Sequence, residues 1–183
     1  KKARISSFDK VGVIGAGGGL GIHMLKMLKL NNISAIGIDT KTEKFNTCNE
    51  NGAEFSVSPM ENNLKNKIAD YSKSHNLDVV IDFVSSKSSL ELGCSILGKG
   101  GRLVTLGGSG EQFLANSADM LVKELELIGS RYCTKQELKE SLDLYARGLI
   151  EPLVSVKTDF DGAEGLHDKI EKGEITGRAG ILI

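Results

Sequence analysis

The 183-residue chain has no excess of either charge: 23 Lys and Arg stand against 24 Asp and Glu, a formal net charge of -1. Without a basic patch it offers no electrostatic footprint for nucleic acid or an anionic membrane, and both are excluded as expected partners. No apolar run approaches the roughly 20 residues that a membrane span requires. The start, Lys1 to Lys10, lacks the apolar core of a secretory signal, so the expected location is cytoplasmic. Paired cysteines are also missing. Cys48, Cys94 and Cys133 lie too far apart for a metal ribbon or a disulfide framework and read as reduced packing residues. His23, His75 and His167 do not have the short spacing of a zinc pair, and ordinary surface or packing roles are expected for them. There is no serine elbow. Asp78 and Asp82 flank a strand-like run as a turn residue and a strand-end group, not as an acid and base pair. Ser85, Ser86, Ser88 and Ser89 read as helix capping, and Lys135 to Lys139 as a solvated helical face.

What is present is alternation. Hydrophobic residues make up 40% of the chain, ordinary for one globular domain with an appendage. Val11 to Gly15 reads as a strand and Gly19 to Leu30 as a helix, with Leu20, Met24, Met27 and Leu28 at helical spacing. Ile33 to Ile38 is a second strand, followed by a polar helix over Lys41 to Asn51 that Gly52 caps. Phe55 to Val57, Val79 to Phe83, Arg102 to Leu106 and Leu125 to Ile128 read as further strands. Glu61 to Ser74 and Ser88 to Leu97, the latter closed by Gly98, read as the helices between them. Near-continuous Val and Ile runs separated by helices imply an α/β fold: a doubly wound parallel sheet of six strands with helices on both faces.

The stretch "VGVIGAGGGLG" lies where the first strand meets the first helix. Glycine costs backbone entropy, so five of them within seven residues call for a steric reason or a ligand. At that junction main-chain N–H groups and the helix dipole can hold a pyrophosphate. Gly18 and Gly21 would permit close backbone approach, while Gly19 and Leu20 would present free amides. Asp39, eighteen residues beyond Gly21, ends the second strand about where an acidic side chain accepts hydrogen bonds from the adenosine ribose. Its other reading is a cap on the helix starting near Lys41. A carboxylate there would repel a ribose phosphate, which favours NAD over NADP.

From Val11 to Ile183 the chain resembles the cofactor-binding half of the medium-chain dehydrogenases, the zinc-type alcohol dehydrogenase superfamily. The resemblance is carried by "GAGGGLG", "DTKTEKF", "NGAEF", "LDVVIDFVSS", "GKGGRLVTLGG", "ELELIGSRYCTKQEL", "GLIEPLV" and "ITGRAGILI", in that order. It implies a Rossmann-type sheet of order 3-2-1-4-5-6 and a second ribose contact at Lys44. It places Val84, Gly107, Gly108, Ser130 and Tyr132 at the nicotinamide end of the cofactor and Arg178 near its pyrophosphate. Ser85 departs from the family's usual glycine, and Cys133 and Lys135 from a common glycine and arginine.

The resemblance further implies three segments. Residues 1-10 would be the end of a linker from an N-terminal catalytic domain that this chain lacks, 11-149 the NAD-binding domain, and 150-183 a segment returning to the catalytic domain. Zinc would then belong only to that missing domain. The expected function is the NAD(H)-binding domain of an alcohol dehydrogenase-type oxidoreductase. Hydride would pass between a small alcohol or aldehyde and NAD in the intact parent, and the fragment would bind cofactor without turnover. The alternatives are the cofactor domain of a zinc-free, NADP-dependent quinone or enoyl reductase, or a stand-alone nucleotide-sensing module. A homodimer is expected through the sixth-strand edge, Leu125 to Arg131, because an open edge carries unpaired N–H and C=O groups.

Overall fold

The structure is a computed structural model that describes residues 1–73 and 75–183. Its main sheet takes β1 (Val11–Ile14), β2 (Ala35–Ile38), β3 (Ser56–Val57), β4 (Leu77–Asp82), β5 (Leu97–Thr105) and β6 (Glu126–Gly129), all parallel, in the order β3-β2-β1-β4-β5-β6. The helices that return the chain are α1 (Gly21–Leu30), α2 (Phe45–Glu50), α3 (Leu64–Tyr71), α4 (Lys87–Ile96) and α5 (Ser117–Lys123). After β6 come α6 (Lys135–Ala146), β7 (Val154–Thr158), α7 (Ala163–Glu171) and β8 (Arg178–Ile181). β7 and β8 form a separate two-stranded parallel sheet.

Period-two side-chain alternation divides the core between the two faces of the sheet. Val79 and Ile81 join Val11 and Val13 in packing on Ile22, Leu25 and Leu28 of α1. Val80, between them in sequence, joins Ile36 and Ile38 on the other face, against Leu64 and Ile68 of α3 and Leu90 and Ile96 of α4. Burial on both faces is why these strands are apolar throughout rather than alternating.

Several element boundaries differ from the sequence expectation. The helix expected over 61–74 is confined to Leu64–Tyr71, because the Glu61 carboxylate accepts from the Ser58 N–H and the Lys67 ammonium in a turn ahead of it. Its expected end, Ser74, lies outside the described residues. The helix expected over 41–51 splits into a 3-10 turn at Thr42–Lys44 followed by α2. Gly98 does not cap α4. The chain passes from Ile96 directly into an extended Leu97, and Gly98 sits where a Cβ would collide with the His75 carbonyl oxygen. β5 therefore begins five residues before Arg102, with a register shift against β4 between Leu77 and Val79. Capping of α4 falls to Ser86, which shares a capping box with Ser89. Cys48 is buried and Cys94 half-buried, but Cys133 is exposed, contrary to the packing role expected of it. Among the described residues no helix is long and apolar enough to cross a membrane.

Candidate functional site

The junction of β1 and α1 is built by sterics. Gly15 turns the chain at φ +75°, and its N–H and that of Ala16 both donate to the Ile38 carbonyl of β2. Gly18 N–H donates back to Gly15 O at 3.1 Å. A Cβ on Gly21 would collide with the Gly15 carbonyl oxygen and come within 2.7 Å of the Ala16 backbone, so α1 can start this close to the turn only with glycine there. No side chain caps α1 and no acidic residue lies in its first turn. Among the described residues, the N–H groups of Gly19, Leu20 and Gly21 find no acceptor. Three unpartnered donors at the positive end of a ten-residue helix form an anion cradle.

Asp39, just past β2, faces this turn. Its Oδ2 accepts from Gly17 N–H at 2.8 Å and its Oδ1 from Lys41 N–H at 3.0 Å. The carboxylate thus closes the turn and also caps the segment after it, and it remains half-exposed. Lys44 is buried, and its ammonium donates to the Ile175 carbonyl at 2.7 Å. The Arg178 side chain rests on Gly19, where a Cβ would meet its Cδ and Nε at 2.7 Å. With Phe83 and Val84 these residues enclose a cleft of about 280 Å³. It adjoins an apolar cavity of about 350 Å³ between Ile14, Ile38, Pro59, Met60, Val84 and Leu92.

The structure therefore brings together Gly18, Gly19, Leu20, Gly21, Asp39, Lys44, Val84 and Arg178, and separates the other residues expected at the site. Gly107 touches the group indirectly, its N–H donating to Ser85 Oγ at 2.9 Å. Gly108 has open space around it. Ser130 lines a different cavity of about 580 Å³, beneath the N-terminal segment and beside Met24 and Met27. Tyr132 is 85% exposed, with the Arg131 guanidinium 4.8 Å from its ring centre.

Two groups of residues have larger roles than their sequence context signals. Asp82 is fully buried; its Oδ1 accepts from the N–H groups of Val84 (2.8 Å) and Ser85 (3.0 Å), and its Oδ2 from Ser89 Oγ (2.7 Å). Ser85 occupies the left-handed region at φ +56°, and its Oγ also bonds Thr105 Oγ1, fastening the loop after β4 to the end of β5. The family's usual glycine at that position was the available signal, since a positive φ is what glycine tolerates. His23 bonds both Gly19 O and Leu153 N–H, and no sequence spacing points to it.

A βαβ fold with an uncapped glycine turn and an acidic residue closing the second strand is a dinucleotide-site geometry. The model of a sequence family described as zinc-binding dehydrogenase matches residues 19–147. The chain belongs to that family. The NAD-dependent alcohol dehydrogenase of Sulfolobus acidocaldarius is 28% identical over 179 residues, covering 96% of this chain and 51% of that protein. The D-arabinose 1-dehydrogenase (NADP(+)) of Saccharolobus solfataricus is 26% identical, covering 95% and 50%. The crystal structure of an alcohol dehydrogenase from Aeropyrum pernix superposes with a TM-score of 0.87 at 25% identity, over 96% of this chain and 50% of that one. The chain spans about half the length of the curated relatives it matches. Among the described residues, no three His, Cys, Asp or Glu side chains are grouped to hold a metal ion, and this donor set does not fit zinc. The open amides and the room left by Gly18, with the Arg178 side chain lying over Gly19, do fit a dinucleotide.

Proposed function

We propose that the chain is the NAD(H)-binding domain of an alcohol dehydrogenase-type oxidoreductase. The observation that carries this reading is the uncapped amide cradle of α1, with the Asp39 carboxylate on one side and the Arg178 guanidinium on the other. The Gly19, Leu20 and Gly21 amides and Arg178 hold a pyrophosphate, Gly18 leaves room for it, and Asp39 accepts from ribose hydroxyls with Lys44 beside it. The apolar cavity between Ile38, Pro59 and Met60 takes the adenine. Val84, Gly107, Gly108, Ser130 and Tyr132 are assigned to the nicotinamide end. When bound, NAD supplies the hydride acceptor, and the chain's part is to bind and orient it.

In the whole protein the reaction is hydride transfer between a small alcohol or aldehyde and NAD, with zinc held outside this chain. Residues 1-10 link to that catalytic domain, 11-149 bind the cofactor and 150-183 return. Alone, the chain binds cofactor without turnover. Two copies pair through the β6 edge, in the cytoplasm. A second reading, NADP in place of NAD, draws on both Asp39 oxygens already accepting backbone N–H groups, which spends part of the charge that would repel a phosphate.

Calorimetric titration of the parent and Asp39→Ala with NADH and NADPH decides between them. The expected result is NADH at least about tenfold tighter, about 1.4 kcal/mol, with Asp39→Ala narrowing that gap. Equal affinities in the parent sink the NAD assignment, and no binding of either cofactor sinks the reading as a cofactor domain.

A further inference from the structure

His23 lies on the first turn of α1, and both nitrogens of its ring are engaged. Nδ1 is 2.6 Å from the Gly19 carbonyl oxygen, and Nε2 is 3.1 Å from the Leu153 backbone nitrogen. A carbonyl can only accept and an amide N–H can only donate, so the two contacts together fix one form of the ring: neutral, with its proton on Nδ1 and a lone pair on Nε2. The Leu153 carbonyl in turn accepts the Arg178 N–H at 2.8 Å. The Arg178 side chain completes the circuit by lying over Gly19, the residue whose carbonyl His23 holds. The path Gly19, His23, Leu153, Arg178 is therefore closed, although it joins positions 130 residues apart in the chain.

We propose that His23 is a positioning residue that holds the Arg178 guanidinium over the glycine turn by tethering the segment beginning at Leu153. The proposal rests on the reading of the turn as a pyrophosphate site. Two other contacts dock the same segment: Gly177 N–H on Gly17 O at 3.0 Å, and the Lys44 ammonium on Ile175 O. Both act just ahead of Arg178, whereas the entrance of β7, which pairs with β8 at Arg178, is fixed to α1 by His23 on the Leu153 N–H and, two residues earlier, by the Lys26 ammonium on Glu151 O at 2.7 Å. Removing His23 therefore loosens Arg178 without releasing it, and the loss should be smaller than that of deleting the guanidinium.

The experiment has two arms on the full chain. Long-range 15N–1H correlation spectra of the parent at neutral pH read the His23 tautomer directly and need no variant. The expected signature is a protonated Nδ1 and an unprotonated Nε2; an Nε2–H tautomer, or a ring averaging between forms, overturns the tether. NADH titrations of the parent, His23→Ala, Arg178→Ala and the double variant read the coupling. Arg178→Ala should weaken binding about tenfold, as for a lost charged hydrogen bond. His23→Ala should weaken it about threefold in the parent and hardly at all once Arg178 is gone. An equal threefold loss in both backgrounds overturns the proposal. Failure of the parent to bind NADH overturns the cofactor reading instead, and the tautomer still decides the tether.

Discussion

β1 and β6 are both four-residue strands of the same parallel sheet, yet they hold their residues differently. β1 buries all four of its residues, and β6 buries none fully. The contrast extends outward: α1, beside β1, buries Ile22, Leu25 and Leu28, whereas α5 and α6 bury nothing, leaving Leu121 79% and Leu142 57% exposed. Composition explains only part of this: β6 carries the charged Glu126, but Leu127 and Ile128 are as apolar as the residues of β1. Position explains the rest: β1 has neighbours on both sides and a helix layer on both faces, while β6 pairs with β5 alone. An apolar segment is buried only where other surfaces arrive to cover it.

Three measurements would sharpen or break this contrast. The largest effect is expected at the centre of the sheet. Ile36→Ala, at a position with no exposure, should cost about 2–5 kcal/mol in chemical denaturation, whereas Leu142→Ala should stay within about 0.5 kcal/mol. Equal costs would mean that α6 is packed in solution and the two regions do not differ.

The second measurement concerns what covers the open edge. Ser130 N–H donates to Thr105 O; by the two-residue period Ile128 also points its N–H toward β5, while those of Leu127 and Gly129 face outward. If two copies pair through this edge, Leu127→Pro should raise the dimer dissociation constant at least about tenfold by removing an outward donor and obstructing approach. Ile128→Pro should instead damage the sheet itself. Light scattering at micromolar concentration reads the difference, and a monomeric parent or a dimer indifferent to Leu127→Pro would remove the edge from the interface.

The smallest effect lies in the thiols. Burial, with the Asp39 carboxylate adding to it, pushes the Cys48 thiol up to about 11, above its ordinary value of 9.0. A raised folded-state value favours the protonated fold, so this stabilising contribution is complete below about pH 9 and lost as pH rises through about 11. The gap in melting temperature between the parent and Cys48→Ala should therefore shrink across that window. At pH 8 an alkylating agent should label exposed Cys133 and spare Cys48 until the chain unfolds. Labelling of Cys48 at the same rate would contradict the closed packing beneath β2.

The strands, the helices and the turn were legible because their signals are local; the order of the strands in the sheet came from the resemblance. Apolar runs separated by helical spacing, five glycines at one junction and an acidic residue at the next strand end each constrain their own neighbourhood. The same logic failed at Gly98, where glycine serves a close approach to His75 rather than a helix end. The place of Ser130 and Tyr132 at the nicotinamide end rests on resemblance; Ser130 lines the cavity beneath the N-terminal segment and Tyr132 sits in a left-handed turn. Nothing within ten residues of His23 announces Leu153.

Local backbone and side-chain preferences therefore determined the alternation of strands and helices, the position of the amide cradle and the carboxylate facing it. Those depend on hydrophobic period and on the room that glycine leaves, both written in consecutive residues. The tertiary structure decided which of the named residues share one cleft, which apolar faces stay uncovered, and the form of the His23 ring. Those follow from contacts such as Lys44 with Ile175 and His23 with Leu153, between segments more than a hundred residues apart, which exist only after the C-terminal segment has folded back onto the turn.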